Sequence, residues 1–144
     1  MAGATMPGLY PLPNVAGDHV VNISREQRSL IAEAVTRLER QFYGRGPSNV
    51  RVSVTTDDPV SVAVLSTDSL TAADYALSNR GRSDAVIRHH EALHEVTRQD
   101  FVNAVESIVN RTVTAYLAQV HPVTGYAFRV FLFSEDATTG ELDH

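Results

Sequence analysis

The residues most suggestive of chemistry in this sequence of 144 are His89-His90-Glu91-Ala92-Leu93-His94. Within them His90-Glu91-x-x-His94 spells H-E-x-x-H. On a helix, residues four apart share a face, so two imidazoles can hold one zinc ion while the carboxylate between them acts as general base. That reading makes the chain a zinc hydrolase, with Zn2+ on His90 and His94 and Glu91 as the catalytic group. A catalytic zinc also needs a third protein ligand. Asp100 stands six residues after His94, but the glycine that would break the helix and swing a ligand back is replaced by Thr97. Six further residues of unbroken helix place Asp100 about 9 Å along and about 120° around from His94. His121, His144 and His19 have no spacing that recommends them. So short a string also arises by chance. The competing reading pairs His90 and His94 with Glu91, Glu95 or Arg98, or places them at an oligomer interface.

A second candidate is Gly44-Arg45-Gly46. Two glycines flanking an arginine can present backbone N–H groups and a guanidinium to a small anion such as bicarbonate or phosphate. The same residues also read as a helix stop, because glycine takes the left-handed position after a helix without strain. No G-x-S-x-G, P-loop or G-x-G-x-x-G string is present. Glu106 has no obvious acid/base partner in the sequence. Asp57-Asp58-Pro59 is turn chemistry.

The elements that position these residues follow from periodicity and punctuation. Ser24-Arg25-Glu26-Gln27 is a capping box. Behind it Leu30, Ile31, Ala34, Val35, Leu38 and Phe42 recur at helical spacing, predicting a helix from about Arg25 to Tyr43. Val50, Val52 and Val54 alternate with polar residues, and Val60, Val62 and Val64 alternate with Ser61 and Ala63, which predicts an antiparallel hairpin. Thr71-x-x-Asp74 caps a short helix that Asn79-Arg80-Gly81 ends. Ser83 or Asp84 is expected to cap the long helix, which runs to Val109 with Asn110 as a left-handed stop. On that helix Val86, His90, Leu93, His94, Thr97, Phe101, Ala104 and Ile108 fall on one apolar stripe, and His89 faces away from it. Thr112–Val120 reads as a strand with Val113, Ala115, Leu117 and Gln119 on one face. Tyr126–Phe133 reads as a strand apolar on most of both faces, hence central or covered. The expected fold is α+β, in the order α-β-β-α-α-β-β, with a four-stranded, mostly antiparallel sheet and helices on one face. Residues 1–22, rich in proline and glycine, read as a flexible arm, 23–134 as a single domain and 135–144 as a flexible acidic tail.

Composition narrows the function. The chain is 43% hydrophobic and 20% charged, enough apolar residues for a core. Its formal net charge of -5 argues against nucleic acid as a partner. It has no cysteine, which removes disulfides and thiolate metal sites and is compatible with a reducing cytoplasm. No apolar run reaches the roughly 20 residues that span a bilayer. The expectation is a cytoplasmic protein without direct membrane insertion, reaching any membrane through a partner.

The punctuation of the whole domain resembles the MpsC-like family of small bacterial proteins. Phe42-Tyr43-Gly44-Arg45-Gly46-Pro47 is similar to that family's "GRGP" turn. The strand Val60–Leu65 is followed by Leu70-Thr71-x-x-Asp74, where the family tends to have Leu-Thr-x-x-Glu. Ala104-Val105-Glu106-Ser107-Ile108 and the late Val130-Phe131-Leu132 fit in the same order, so the resemblance covers about residues 25–134. Asn110 stands where the family usually has glycine, and H-E-x-x-H is not among its hallmarks. The resemblance implies a component of a Na+-translocating, membrane-potential-generating system, with related genes often accompanying inorganic-carbon uptake, and it carries over no catalytic residues. Taken together, the expectation is a non-enzymatic accessory or regulatory domain that binds a protein partner and forms a homo-oligomer, with no cofactor. The zinc hydrolase and the small-anion sensor are the alternatives.

Overall fold

The computed structural model describes residues 22–134. The arm expected over 1–22 (apart from Asn22) and the tail expected over 135–144 lie outside the described residues. The elements are α1 (Arg25–Tyr43), β1 (Asn49–Thr55), β2 (Ser61–Thr67), α2 (Ala72–Asn79), α3 (Ser83–Val109), β3 (Val113–Val120) and β4 (Ala127–Phe133). The strands form one antiparallel sheet in the order β1-β2-β4-β3. The architecture is α+β, in the α-β-β-α-α-β-β order read from the sequence. The second hairpin inserts β4 beside β2, so the strand apolar on both faces is central, with a neighbour on each side.

Local signals set most boundaries. Ser24 accepts the Gln27 backbone N–H at 3.0 Å while Gln27 returns a bond to the Ser24 N–H. Gly44 ends α1 at φ 84° and Asn110 ends α3 at φ 63°, both left-handed. Thr71 and Asp74 form the capping box of α2. The start of α3 differs from expectation. Neither Ser83 nor Asp84 caps it; the N-cap position falls on Arg82, whose backbone is not extended and offers no side-chain cap. The link from α2 is too tight to supply an extended residue, because the Arg82 N–H bonds back to the Leu77 carbonyl at 2.8 Å. Asp84 is instead held by the guanidiniums of Arg82 and Arg88.

Helices α1 and α3 pack on each other, α1 also on β1 and α3 on β3, and α2 rests on α3. Ile31, Val35, Val62, Val64, Phe101, Val105 and Phe131 fill the space between helices and sheet, all at 1% exposure or less. Leu30, expected on the core stripe of α1, is half exposed, and Glu39 and Tyr43 are buried there instead.

A second difference lies in β3. The register slips between Val113 and Ala115. Val113 pairs with inward-facing Phe133, but Ala115, Leu117 and Gln119 pair with Leu132, Val130 and Phe128 on the outer face. The extra residue, Thr114, reverses the alternation. Tyr116, Ala118 and Val120 therefore point inward, and Leu117 is 60% exposed. The register makes a contrast at adjacent positions. Val120→Ala is expected to cost about 2 kcal/mol in chemical denaturation, from lost burial and the cavity left behind. Gln119→Ala should stay within about 0.5 kcal/mol of the parent.

Candidate functional site

Two linked groups of buried polar side chains lie between the helices and the sheet. The first centres on Arg129, in the middle of β4 and fully buried. Strand alternation sends it inward with Ala127, Phe131 and Phe133. Its guanidinium ion-pairs with Glu39 of α1 and donates to the Tyr116 and Tyr43 hydroxyls, at 3.1 Å each. It lies 4.1 Å from the centre of the Phe101 ring, close enough for a cation–π contact. Ser69 donates to the other Glu39 oxygen at 3.0 Å. Burial, the largest single influence, would lower the Arg129 pKa, but Glu39 together with Tyr116 and Tyr43 outweighs it and the net shift is upward. Burial pushes the Tyr43 phenol up to about 12 against the opposing pull of Arg129, and raises Tyr116 in the same direction. Tyr43 and Tyr116 thus stay protonated as donors or acceptors to their neighbours.

The second group touches the first through Tyr43, whose ring centre is 5.4 Å from that of His90. His90 is fully buried, and its Nε2 lies 2.8 Å from one Asp74 oxygen. His89 places Nδ1 2.8 Å from the other. Asp74 is itself buried, fixed at the start of α2 by its own capping box, and accepts the Thr71 N–H at 3.0 Å. Burial would raise the Asp74 pKa, but the bonds from Thr71, His90 and His89 prevail and hold it below the usual carboxylate range. Burial lowers His90 despite Asp74. His94, whose ring centre is 6.0 Å from that of His90, is pushed down to about 4 by burial, then by Arg129 and His90. His90 Nδ1 and His94 Nε2 are buried without a hydrogen-bond partner. Both side chains line a cavity of about 120 Å³, together with Ile87, Glu91, Ala118, Gln119 and Val120.

The residues singled out from sequence fall as follows. His90 and His94 do come together on the inner side of α3, and Glu91 lines the same cavity while remaining exposed. The expected local pairing with Glu91, Glu95 or Arg98 is replaced by Asp74, because α2 folds back over the start of α3. Arg98 instead donates to the Tyr116 carbonyl at 3.3 Å. Arg45 carries a carboxylate: its guanidinium meets Asp68 at 2.6 Å, and Asp68 also accepts from Tyr75. Gly46 lies under the Arg40 guanidinium, which a Cβ there would meet at 3.0 Å. An anion at Gly44-Arg45-Gly46 would compete with Asp68. Glu106 accepts the Val113 N–H at 2.7 Å and so joins α3 to β3.

Sequence reasoning missed Glu39, Arg129, Tyr43 and Tyr116 as a group and His89 as a partner of Asp74. A usable signal existed: Glu39 sits on the apolar stripe of α1 with Ile31, Val35 and Leu38, and Arg129 at an inward position of an apolar strand. One acid and one base, each in an apolar register, are natural partners.

Fold and site together define a small helix-on-sheet domain with a closed, charge-paired polar core. The chain belongs to the MpsC family: the family model described as "Na+-translocating membrane potential-generating system (MpsC)" matches residues 24–135. No curated protein and no solved structure matches it.

Two outcomes test the polar core. Arg129→Met leaves the Glu39 carboxylate buried and uncompensated, and is expected to cost about 3–5 kcal/mol in equilibrium denaturation. The double variant Glu39→Leu/Arg129→Met should recover much of that loss. For His94 the folded pKa lies below the ordinary 6.5, so the unfolded chain binds the proton more readily. Stability is then fully present above that ordinary value and falls as pH drops through the window down to about 4. Denaturation midpoints across that window should decline by up to about 3 kcal/mol, and His94→Gln should flatten the decline.

Proposed function

We propose that this chain is a non-enzymatic accessory domain of a Na+-translocating system, operating beside inorganic-carbon transport and acting by protein contact through the outer face of its sheet. Among the described residues, no helix is long and apolar enough to cross a membrane. Ion translocation by the system then rests on other subunits, to which this domain docks.

The observation that carries the reading is a sheet face that the described residues leave uncovered. Helices cover the inner face. On the outer face Leu65 pairs with Phe128, Ala63 with Val130 and Leu117 with Val130. Leu117, Phe128 and the adjoining Tyr126 are 60%, 46% and 49% exposed. A contiguous apolar surface of this kind on a small domain marks a contact site. The first partner on this reading is a second copy of the chain, and a homo-oligomer would present paired surfaces to a membrane protein.

Phe128→Glu places a charge at the centre of that face without touching the core. Light scattering at high micromolar protein should show an oligomer for the parent chain and a monomer for Phe128→Glu, with the same circular dichroism. A parent chain that is monomeric at that concentration would rule out self-association.

A further inference from the structure

We propose that Asp74, His89 and His90 form a binding site for a divalent transition-metal ion, which ties α2 to α3. A carboxylate oxygen of Asp74 and one ring nitrogen each of His89 and His90 all lie within 4.8 Å of one another. Two imidazoles and a carboxylate are a donor set suited to zinc and its neighbours in the first transition row. This set differs from the H-E-x-x-H pair: it uses His90 but takes its partners from the preceding residue and from another helix.

The geometry is close to that of a loaded site. Each ring nitrogen stands 2.8 Å from its own Asp74 oxygen. Around a tetrahedral ion with bonds of about 2.0–2.2 Å, ligand atoms lie about 3.4 Å apart. Each nitrogen–oxygen separation would open by about half an ångström, and the ligand atoms, all within 4.8 Å of one another, would settle at that spacing around the ion in place of the bridging hydrogens. For His90 the change has a requirement: coordination through Nε2 moves the ring proton to Nδ1, a buried atom without a hydrogen-bond partner, so the new N–H needs a water in the adjoining cavity as acceptor. Neighbouring helix residues diverge by about 100°, so one ion reaches both imidazoles only from the side of the helix between them. Asp74 occupies that side, and its capping box with Thr71 holds it there.

Charge and access point the same way. The Asp74 side chain is 1% exposed and has the two imidazoles as hydrogen-bond partners. A divalent ion would bring that buried carboxylate a permanent positive charge. His90 is fully buried, whereas the His89 side chain is 44% exposed. The open side at His89 gives an entry path and leaves room for water to complete the coordination. Bound there, the ion would join the first turn of α2 to α3 and tighten a contact otherwise made by hydrogen bonds.

The test uses the full chain, freed of any affinity tag and stripped with a chelator, titrated with Zn2+ by calorimetry and with Co2+ by visible absorption. The expected result is one equivalent bound with micromolar or tighter Kd, a Co2+ spectrum of nitrogen and oxygen ligation, and a rise in Tm on saturation. His89→Ala, at a half-exposed position that leaves the core intact, should weaken binding at least tenfold. Asp74→Asn, which keeps the capping geometry, should do the same with unchanged circular dichroism, and His121→Ala should have no effect. Absence of saturable binding would overturn the site, as would binding unaltered by His89→Ala. Loss of binding in His94→Ala but not in His89→Ala would also overturn it, by placing the ion on the His90–His94 pair. None of these outcomes depends on the oligomeric state, so the site and the docking reading fail separately.

Discussion

The buried ion pair between Glu39 and Arg129 is the constraint around which the interior is arranged. A guanidinium at the centre of a sheet has to be desolvated, and the cost is met only if every donor finds a partner. Here Glu39, Tyr43 and Tyr116 satisfy the guanidinium and Phe101 offers it a ring face. Those partners come from α1, α3 and β3, while Arg129 comes from β4. One residue thus fixes the relative setting of two helices and two strands. Apolar contacts supply the larger share of stability, as burial does in any domain of this size. They tolerate sliding, and a charge pair with four directional partners does not.

The same interior links the two polar groups. Tyr43 packs its ring on His90 while its hydroxyl accepts from Arg129. His90 passes the connection to Asp74 and so to α2. The short helix buries one residue fully, Asp74, and is held by the bonds of Asp74 to His89 and His90 and by Tyr75 and Leu77 packed on Leu70, Val86 and Val120. A helix so attached is the element whose docking an ion or a change of protonation would alter first. The outer face of the sheet is apolar, left open by the described residues, and remote in kind from this chemistry. The family to which the chain belongs is described by a Na+-translocating, membrane-potential-generating system, and the proposed protein contact would fall on that outer face.

The fold was legible in the sequence to a large degree because its signals are local. Ser24 with Gln27, Thr71 with Asp74, Gly44 and Asn110 each act within one turn of backbone, and each element end fell where they put it. Alternation in Val50–Val54, Val60–Val64 and Tyr126–Phe133 marked strands, the last of them central or covered, and it is central. The face of β3 was not legible, since one extra residue at Thr114 reverses every side chain after it and leaves the composition of the strand unchanged. The start of α3 escaped for a similar reason: Ser83 and Asp84 are good caps by type, but the tight turn from α2 decides the backbone there.

The candidate site divides along the same line. His90-Glu91-x-x-His94 drew attention because the pattern is contiguous, and the helix does carry both imidazoles to one side. What those imidazoles meet was decided by tertiary structure, because Asp74 reaches His89 and His90 only when α2 folds back over α3. Glu39 and Arg129 are 90 residues apart in the chain, and no spacing rule joins them. By itself the sequence determined the elements, their order and all of the capped ends except the start of α3, because hydrogen bonding and periodicity act over a few residues. The choice of which polar groups share a buried pocket belonged to the packed chain, because desolvation is felt only once distant elements have excluded the water between them.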